Sequence, residues 1–112
     1  MTELSTDLDR ASDGWTLKLI GSVDATTSHL MWSVDSSASL LNEIREANIQ
    51  SLKIDLIDTK AIDSHALRLL LNAHKEFATQ NIPITLCNPN SHLSRLFRIM
   101  QFDRVFDIEE RS

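Results

Sequence analysis

Hydrophobic and polar residues alternate along two stretches of the chain, at residues 15–20 and 52–56. Side chains of a β-strand point to opposite faces in turn, so this period of two predicts two half-buried strands, each with one apolar face. Residues 82–87 form a third apolar run of strand length. Within it Pro83 has no amide proton to donate, so we expect it at the start of the strand or on a sheet edge.

Apolar residues at helical spacing predict helices elsewhere. The clearest stripe runs through residues 66–77, and residues 93–100 repeat the spacing. The stripe positions are Leu67, Leu70, Leu71, His74 and Phe77 in the first stretch and Leu93, Leu96, Phe97 and Met100 in the second. Residues 27–46 also have helical spacing, but the polar segment 35–39 competes for backbone hydrogen bonds. One bent helix or two short helices would both fit that stretch.

Two weaker patterns complete the order of elements. Residues 104–108 predict a short closing strand, and residues 1–10 indicate a further strand with Leu4 and Leu8 pointing inward. Strands joined through helices run parallel by right-handed crossovers. The alternation in the first strands leaves one face polar, whereas a sheet covered on both faces would show near-continuous apolar runs. We therefore expect an α/β fold, a small mixed sheet of four to five strands with helices mainly on one face.

The composition describes one acidic domain. The chain has 112 residues, 42% of them hydrophobic, and a formal net charge of −5, so we expect a single domain over residues 1–112. No apolar run is long enough to insert into a membrane, and the polar N-terminus is unlike a signal peptide, which predicts a cytoplasmic protein. Nucleic acid is not an expected partner, because phosphate contacts need clustered basic residues. We interpret Arg95, Arg98 and Arg104 as a solvated face.

Catalytic chemistry finds little support in the residues. With only two glycines, the chain has no glycine-rich phosphate loop, and its histidines and single cysteine form no metal-ligand motif, so no cofactor or metal is expected. His74 and Cys87 are interpreted as core or half-buried residues. The carboxylates near strand ends belong to Asp24, Asp55, Asp58 and Asp63. They could serve acid–base chemistry or hold magnesium, but caps and turns explain each one singly, so we do not expect an enzyme.

The junction at residues 60–67 joins a strand region to the clearest helix. Asp63 or Ser64 should be the N-cap, since either side chain can satisfy a free backbone amide. The same place suits a phosphate, because free amides and the positive end of the helix dipole attract an anion. A phosphate on Ser64 would add about −1.5 to −2 charges there.

Three stretches of the chain together resemble the STAS domain of the anti-sigma-factor antagonist family. Residues 17–25 look like the family's first motif, an apolar strand followed by Gly-x-x-Asp. Residues 52–56, followed by 62–64, look like its central strand and Asp-Ser site, and residues 94–106 look like its C-terminal helix and closing strand. The second stretch is the most specific, because it combines strand, spacer, Asp-Ser pair and helix.

This resemblance implies a binding switch rather than an enzyme. Family members of this kind are phosphorylated on the serine of the Asp-Ser pair by an anti-sigma factor, which is a serine kinase of the histidine-kinase-like ATPase type. A metal-dependent serine phosphatase removes the phosphate, and the unphosphorylated form binds the anti-sigma factor. By position, Ser64 matches the phosphoacceptor. The resemblance also implies that Asp63 is the neighbour of the phosphoacceptor and that Asp24 lies on a loop beside the docking surface, with Thr26 on the same loop. We expect the partner-binding residues to be Asp24, Thr26, Asp63, Ser64, His65 and Arg68.

The chain departs from the usual family sequence after the Asp-Ser pair. The family usually continues Asp-Ser-Ser-Gly-Leu, whereas His65 and Ala66 follow Ser64 here. His65 adds a bulky imidazole beside Ser64, which could clash with a standard partner or select a different one. Two other hypotheses stay open. One is a non-phosphorylated STAS interaction subunit, such as one attached to a membrane transporter's ATPase, and the other is a small hydrolase or metal enzyme that uses the aspartates.

Overall fold

The computed structural model describes residues 4–11, 14–23, 44, 47 and 49–110, which contain six strands and two complete helices. The strands are β1 (Leu4–Arg10), β2 (Trp15–Val23), β3 (Leu52–Asp55), β4 (Thr59–Ile62), β5 (Ile84–Cys87) and β6 (Asp107–Glu109). The helices are α1 (Ser64–Ala78) and α2 (Ser91–Ile99), and a 3₁₀ turn covers Phe102–Arg104. Neither α1 nor α2 is long and apolar enough to cross a membrane.

The strands form one mixed, six-stranded sheet. Its spatial order is β1-β2-β3-β5-β6, and β4 pairs with β2. β1 is antiparallel to β2, and the other pairs are parallel. Parallel strands need crossover connections, and α1 and α2 lie in two of them. The predicted mixed α/β sheet is confirmed, with six described strands in place of the expected four to five.

Strand β2 divides its pairing between two neighbours. Its first half, residues 15–18, pairs with β3, whereas Gly21, Ser22 and Val23 pair with β4. The register shifts between Gly21 and Ser22, and Gly21 has a φ of 109°, a backbone conformation that other residues rarely adopt. Glycine at this irregularity therefore allows β2 to change its pairing partner from β3 to β4 without a break in the strand.

The core lies on the sheet face that α1 and α2 cover. The buried strand residues that alternation places on this face are Leu17, Leu19, Leu52, Ile54, Ile84 and Leu86. The helices add Ala66, Leu67, Leu70, Ala73 and Phe77 from α1 and Leu93 and Phe97 from α2. The predicted helical stripes are confirmed except at Met100, which lies beyond the end of α2 and is exposed.

The opposite face of the sheet is polar. The register places Asp7, Lys18 and Asp55 side by side on three neighbouring strands. Lys18 Nζ lies 2.9 Å from Asp58 Oδ2, and the hydrogen bond and charge of Asp58 raise the pKa of Lys18. The helices therefore cover mainly one face, as the alternation of apolar and polar residues predicts.

Some elements differ from the pattern-based expectations. β4 was not predicted, because only its two end residues, Thr59 and Ile62, are buried. The closing strand predicted at residues 104–108 is present but begins later, because the 3₁₀ turn extends to Arg104 and β6 covers Asp107–Glu109. Pro83 immediately precedes β5, in agreement with its expected place at a strand start. Most of the predicted helix at residues 27–46 lies outside the described residues. Within this stretch the structure describes Ile44, which is helical and buried.

Candidate functional site

Asp63 connects β4 to α1 and caps the helix. Its backbone is extended, with φ −89° and ψ 177°. Its Oδ1 accepts a hydrogen bond from Ala66 N at 2.9 Å, and its carbonyl oxygen accepts one from Leu67 N at 2.9 Å. The sequence left Asp63 and Ser64 as alternative caps. Asp63 is the N-cap, and Ser64 is consequently the first residue of the helix.

Two neighbouring segments fix the position of this junction. On one side, Asp63 N donates to the carbonyl oxygen of Val23, the last residue of β2, at 3.0 Å. On the other side, Asn90 Nδ2 donates to the carbonyl oxygens of Thr59 at 3.2 Å and Lys60 at 3.3 Å. The start of α1 is therefore held by β2 and by the turn before α2, not by its own cap alone.

The first turn of α1 presents a polar surface to solvent. Ser64, His65 and Arg68 are exposed, whereas Ala66 and Leu67 are buried in the core. The Ser64 hydroxyl forms no hydrogen bond with any described residue. Ser64 and Arg68 are four residues apart, so their side chains lie on the same side of the helix. The junction thus offers an accessible hydroxyl with a cationic side chain one helical turn away.

The electrostatics of this turn favour an anion. The first turn of α1 contains no acidic residue, and the carboxylate of the capping Asp63 is already hydrogen-bonded to Ala66 N. The first amides of a helix have no intrahelical acceptor, and the helix dipole gives this end a partial positive charge. A phosphate esterified to Ser64 would therefore lie at the favourable end of the dipole and could be added without unfolding the helix.

Four of the six residues predicted to bind a partner are described, and they lie together. Asp63, Ser64, His65 and Arg68 belong to the cap and the first turns of α1. Asp24 and Thr26 lie outside the described residues. Asn90, which braces β4, was not predicted as a site residue. The Asn-Pro-Asn turn at residues 88–90 marked a helix start in the sequence but gave no sign of this longer-range contact.

The other carboxylates that the sequence singled out have separate partners. Asp55 Oδ1 accepts a hydrogen bond from Asn88 Nδ2 at 3.1 Å, and Asp58 pairs with Lys18. Across residues 4–11, 14–23 and 49–110, no three His, Cys, Asp or Glu side chains are grouped so that they could hold a metal ion.

His74 and Cys87 lie away from the first turn of α1. The half-buried His74 ring packs against Phe106, with 5.2 Å between ring centroids. Cys87 is 6% exposed at the end of β5, and burial, followed by the charge and hydrogen bond of Glu109, raises the pKa of its thiol to about 11. At neutral pH the thiol is therefore protonated, in keeping with its interpretation as a small core residue.

Comparison with known proteins identifies a family and a fold. The model of the STAS domain matches residues 9–112. No curated protein sequence matches the chain. A candidate anti-sigma factor antagonist from Thermotoga maritima has a similar structure, with a TM-score of 0.75 and 20% identity over 96% of this chain and 86% of that chain.

Two structures of SpoIIAA are also similar. The unphosphorylated form of this anti-sigma factor antagonist gives a TM-score of 0.71 and 14% identity, over 96% of this chain and 90% of that chain. The phosphorylated form, from Bacillus, gives a TM-score of 0.60 and 14% identity, over 96% of this chain and 92% of that chain. At these low identities the likeness establishes a shared fold.

Proposed function

Because the chain belongs to the STAS domain family, we propose that it is a phospho-regulated binding module that acts as an anti-sigma factor antagonist. In this proposal the partner is an anti-sigma factor with serine kinase activity of the histidine-kinase-like ATPase type. The partner binds the start of α1 while Ser64 is unphosphorylated and loses affinity after it phosphorylates Ser64. A metal-dependent serine phosphatase restores the binding form, and the domain itself catalyses no reaction.

The observation that carries this proposal is the exposed hydroxyl of Ser64 on the first turn of α1. A kinase needs a hydroxyl that it can reach, and Ser64 is exposed, whereas Ala66 and Leu67 beside it are buried. Asp63 holds this turn in place through its bond to Ala66 N. The names of the similar structures support the same class of function, since they include an anti-sigma factor antagonist in phosphorylated and unphosphorylated forms.

Phosphorylation would change the surface charge more than the fold. A phosphate adds about −1.5 to −2 charges at neutral pH, and the N-terminal end of a helix stabilises such a charge. Arg68, one turn further along α1, could neutralise part of it by an ion pair at helical spacing. A partner that binds through acidic or apolar groups would then meet a like charge or a hydrated phosphate, and either costs binding free energy.

His65 and Ala66 adapt this surface in different ways. Ala66 is fully buried in the core, so its methyl group supports the helix and does not face a partner. His65 is exposed next to Ser64, so it would touch any protein that contacts the hydroxyl. We infer that His65 contributes to the choice of partner, whereas Ala66 contributes to stability.

The test is phosphorylation by the kinase partner, followed by intact-protein mass spectrometry. With ATP, the wild-type chain should gain one phosphate and Ser64→Ala should gain none. Ser91→Ala is the matched control, because Ser91 is also an exposed first residue of a helix, and it should gain one phosphate as the wild type does. Phosphate on Ser64→Ala, or none on the wild type with a kinase that binds it, would contradict the switch. If Ser64→Asp binds its partner as tightly as the wild type does, the result would instead favour the alternative of a non-phosphorylated STAS interaction subunit.

A further inference from the structure

A cleft of about 390 Å³ opens between α2 and the residue that follows β6. Its lining residues are Pro89, Ser91, Ser94, Arg95, Arg98 and Glu110. The serines and arginines among them recur every three or four residues and therefore share one side of α2. No residue of the first turn of α1 lines this cleft, so a ligand bound here would be independent of the proposed function.

Glu110 brings a carboxylate into this cleft. Ser94 Oγ donates a hydrogen bond to Glu110 Oε1 at 2.5 Å, and Ser94 is only 7% exposed. Neither Arg95 nor Arg98 forms an ion pair with another described residue. Two guanidinium groups therefore line the cleft together with one carboxylate. This leaves a local excess of positive charge on a domain whose formal net charge is −5.

We propose that this cleft binds the phosphoryl dianion of a small molecule and that Glu110 is an internal competitor that leaves when the ligand enters. Guanidinium groups present forked N–H donors that match the oxygens of a phosphoryl group. A dianion balances the charges of Arg95 and Arg98, which a single carboxylate cannot do. It also offers Ser94 Oγ a new acceptor when Glu110 departs, so the buried hydroxyl stays hydrogen-bonded.

The experiment is a titration of the full ¹⁵N-labelled chain at constant ionic strength, followed by amide chemical shifts. The probes are inorganic phosphate, free phosphoserine and acetate. Phosphate and phosphoserine should shift the amides of residues 91–98 and of Glu110 in a saturable way, and acetate should bind at least about tenfold more weakly because it carries one charge. Equal binding of acetate would overturn the assignment to a phosphoryl group.

Variants distinguish this site from general charge attraction. Arg95→Gln and Arg98→Gln should each weaken phosphate binding about tenfold, because each removes a charge-assisted hydrogen bond. Glu110→Gln should tighten binding about threefold or more, because it removes the competing charge. Arg104→Gln, at an exposed arginine outside the cleft, should leave the affinity unchanged. Equal losses in Arg98→Gln and Arg104→Gln, or weaker binding by Glu110→Gln, would overturn the proposal.

Discussion

The helices α1 and α2 begin with the same local arrangement. In each, an N-cap side chain accepts a hydrogen bond from an amide three residues later, Asp63 at 2.9 Å and Asn90 at 2.8 Å. An exposed Ser-His pair follows each cap, and an arginine comes four residues after each of these serines. The two helix starts therefore have the same type of cap bond, an exposed serine hydroxyl in the same position and an arginine at the same distance along the helix.

What differs is the surroundings of the two turns. The α1 turn has a carboxylate cap, Asp63, which bonds to Ala66 N within its own helix. The α2 turn has an amide cap that also donates to β4, and the carboxylate of Glu110 bonds to its buried Ser94. Local sequence thus specifies where a helix begins, whereas contacts with neighbouring segments distinguish the start that we propose as a protein-binding surface from the one that we propose as an anion site.

The largest expected effect is a difference between Ser64 and Ser91 in binding of the proposed anti-sigma partner. Ser64→Asp should raise the Kd about a hundredfold, since a charge that meets like charge or loses its water at an interface costs several kcal/mol. Ser91→Asp should change the Kd by less than about twofold, because the same charge would lie outside the proposed interface. Isothermal titration calorimetry of both variants measures this difference. Equal losses of affinity would remove the distinction between the two helix starts.

A smaller effect concerns the two caps, whose side chains can be exchanged. Asp63→Asn should lower the free energy of unfolding by no more than about 0.5 kcal/mol, because asparagine caps a helix about as well as aspartate. Asn90→Asp should lower it by about 2 kcal/mol. That change removes the two hydrogen bonds to Thr59 and Lys60 and places a carboxylate against their carbonyl oxygens.

Urea unfolding of the chain alone at neutral pH measures the change in the free energy of unfolding for both exchanges. We expect Asn90→Asp to lower the free energy of unfolding more than Asp63→Asn does. If Asp63→Asn proved the more damaging exchange, the bracing of β4 by Asn90 would carry little energy.

The smallest effect concerns Cys87, at the end of the strand that leads to α2. Its thiol has a pKa of about 11 in the folded chain against an ordinary value of 9.0. Between these values the unfolded chain loses a proton that the folded chain keeps, so stability should fall as pH rises from about 9 to about 11. Cys87→Ala should show a smaller fall over this range in the same urea experiment.

Alkylation by iodoacetamide checks the same pKa directly. The rate should be well below that of an exposed thiol at pH 8, and Glu109→Gln should increase it, because Glu109 contributes to the raised pKa. Alkylation of the wild type at the rate of a free thiol would contradict this account.

The sequence predicts the parts of the molecule that depend on neighbours close along the chain. Alternation located β2 and β3, and the Asp-Ser pair before an apolar stripe located the start of α1. β4 was missed because its stability depends on a distant contact, in which the buried Thr59 hydroxyl donates to Leu19 O at 2.6 Å. The cleft on α2 was missed for the same reason. Arg95 and Arg98 are exposed, as interpreted, but their place beside Glu110 depends on where the chain returns after β6.

The pairing of β2 with both β3 and β4 affects how the start of α1 would respond to a protein partner. β2 is hydrogen-bonded to β1 and β3 as well as to β4, so the start of α1 is attached through β4 to a strand inside the sheet. A protein that binds at Ser64, as we propose, would therefore contact a segment that is hydrogen-bonded to the interior of the sheet. Association then requires little ordering of the chain, and less of the interaction free energy is lost as conformational entropy.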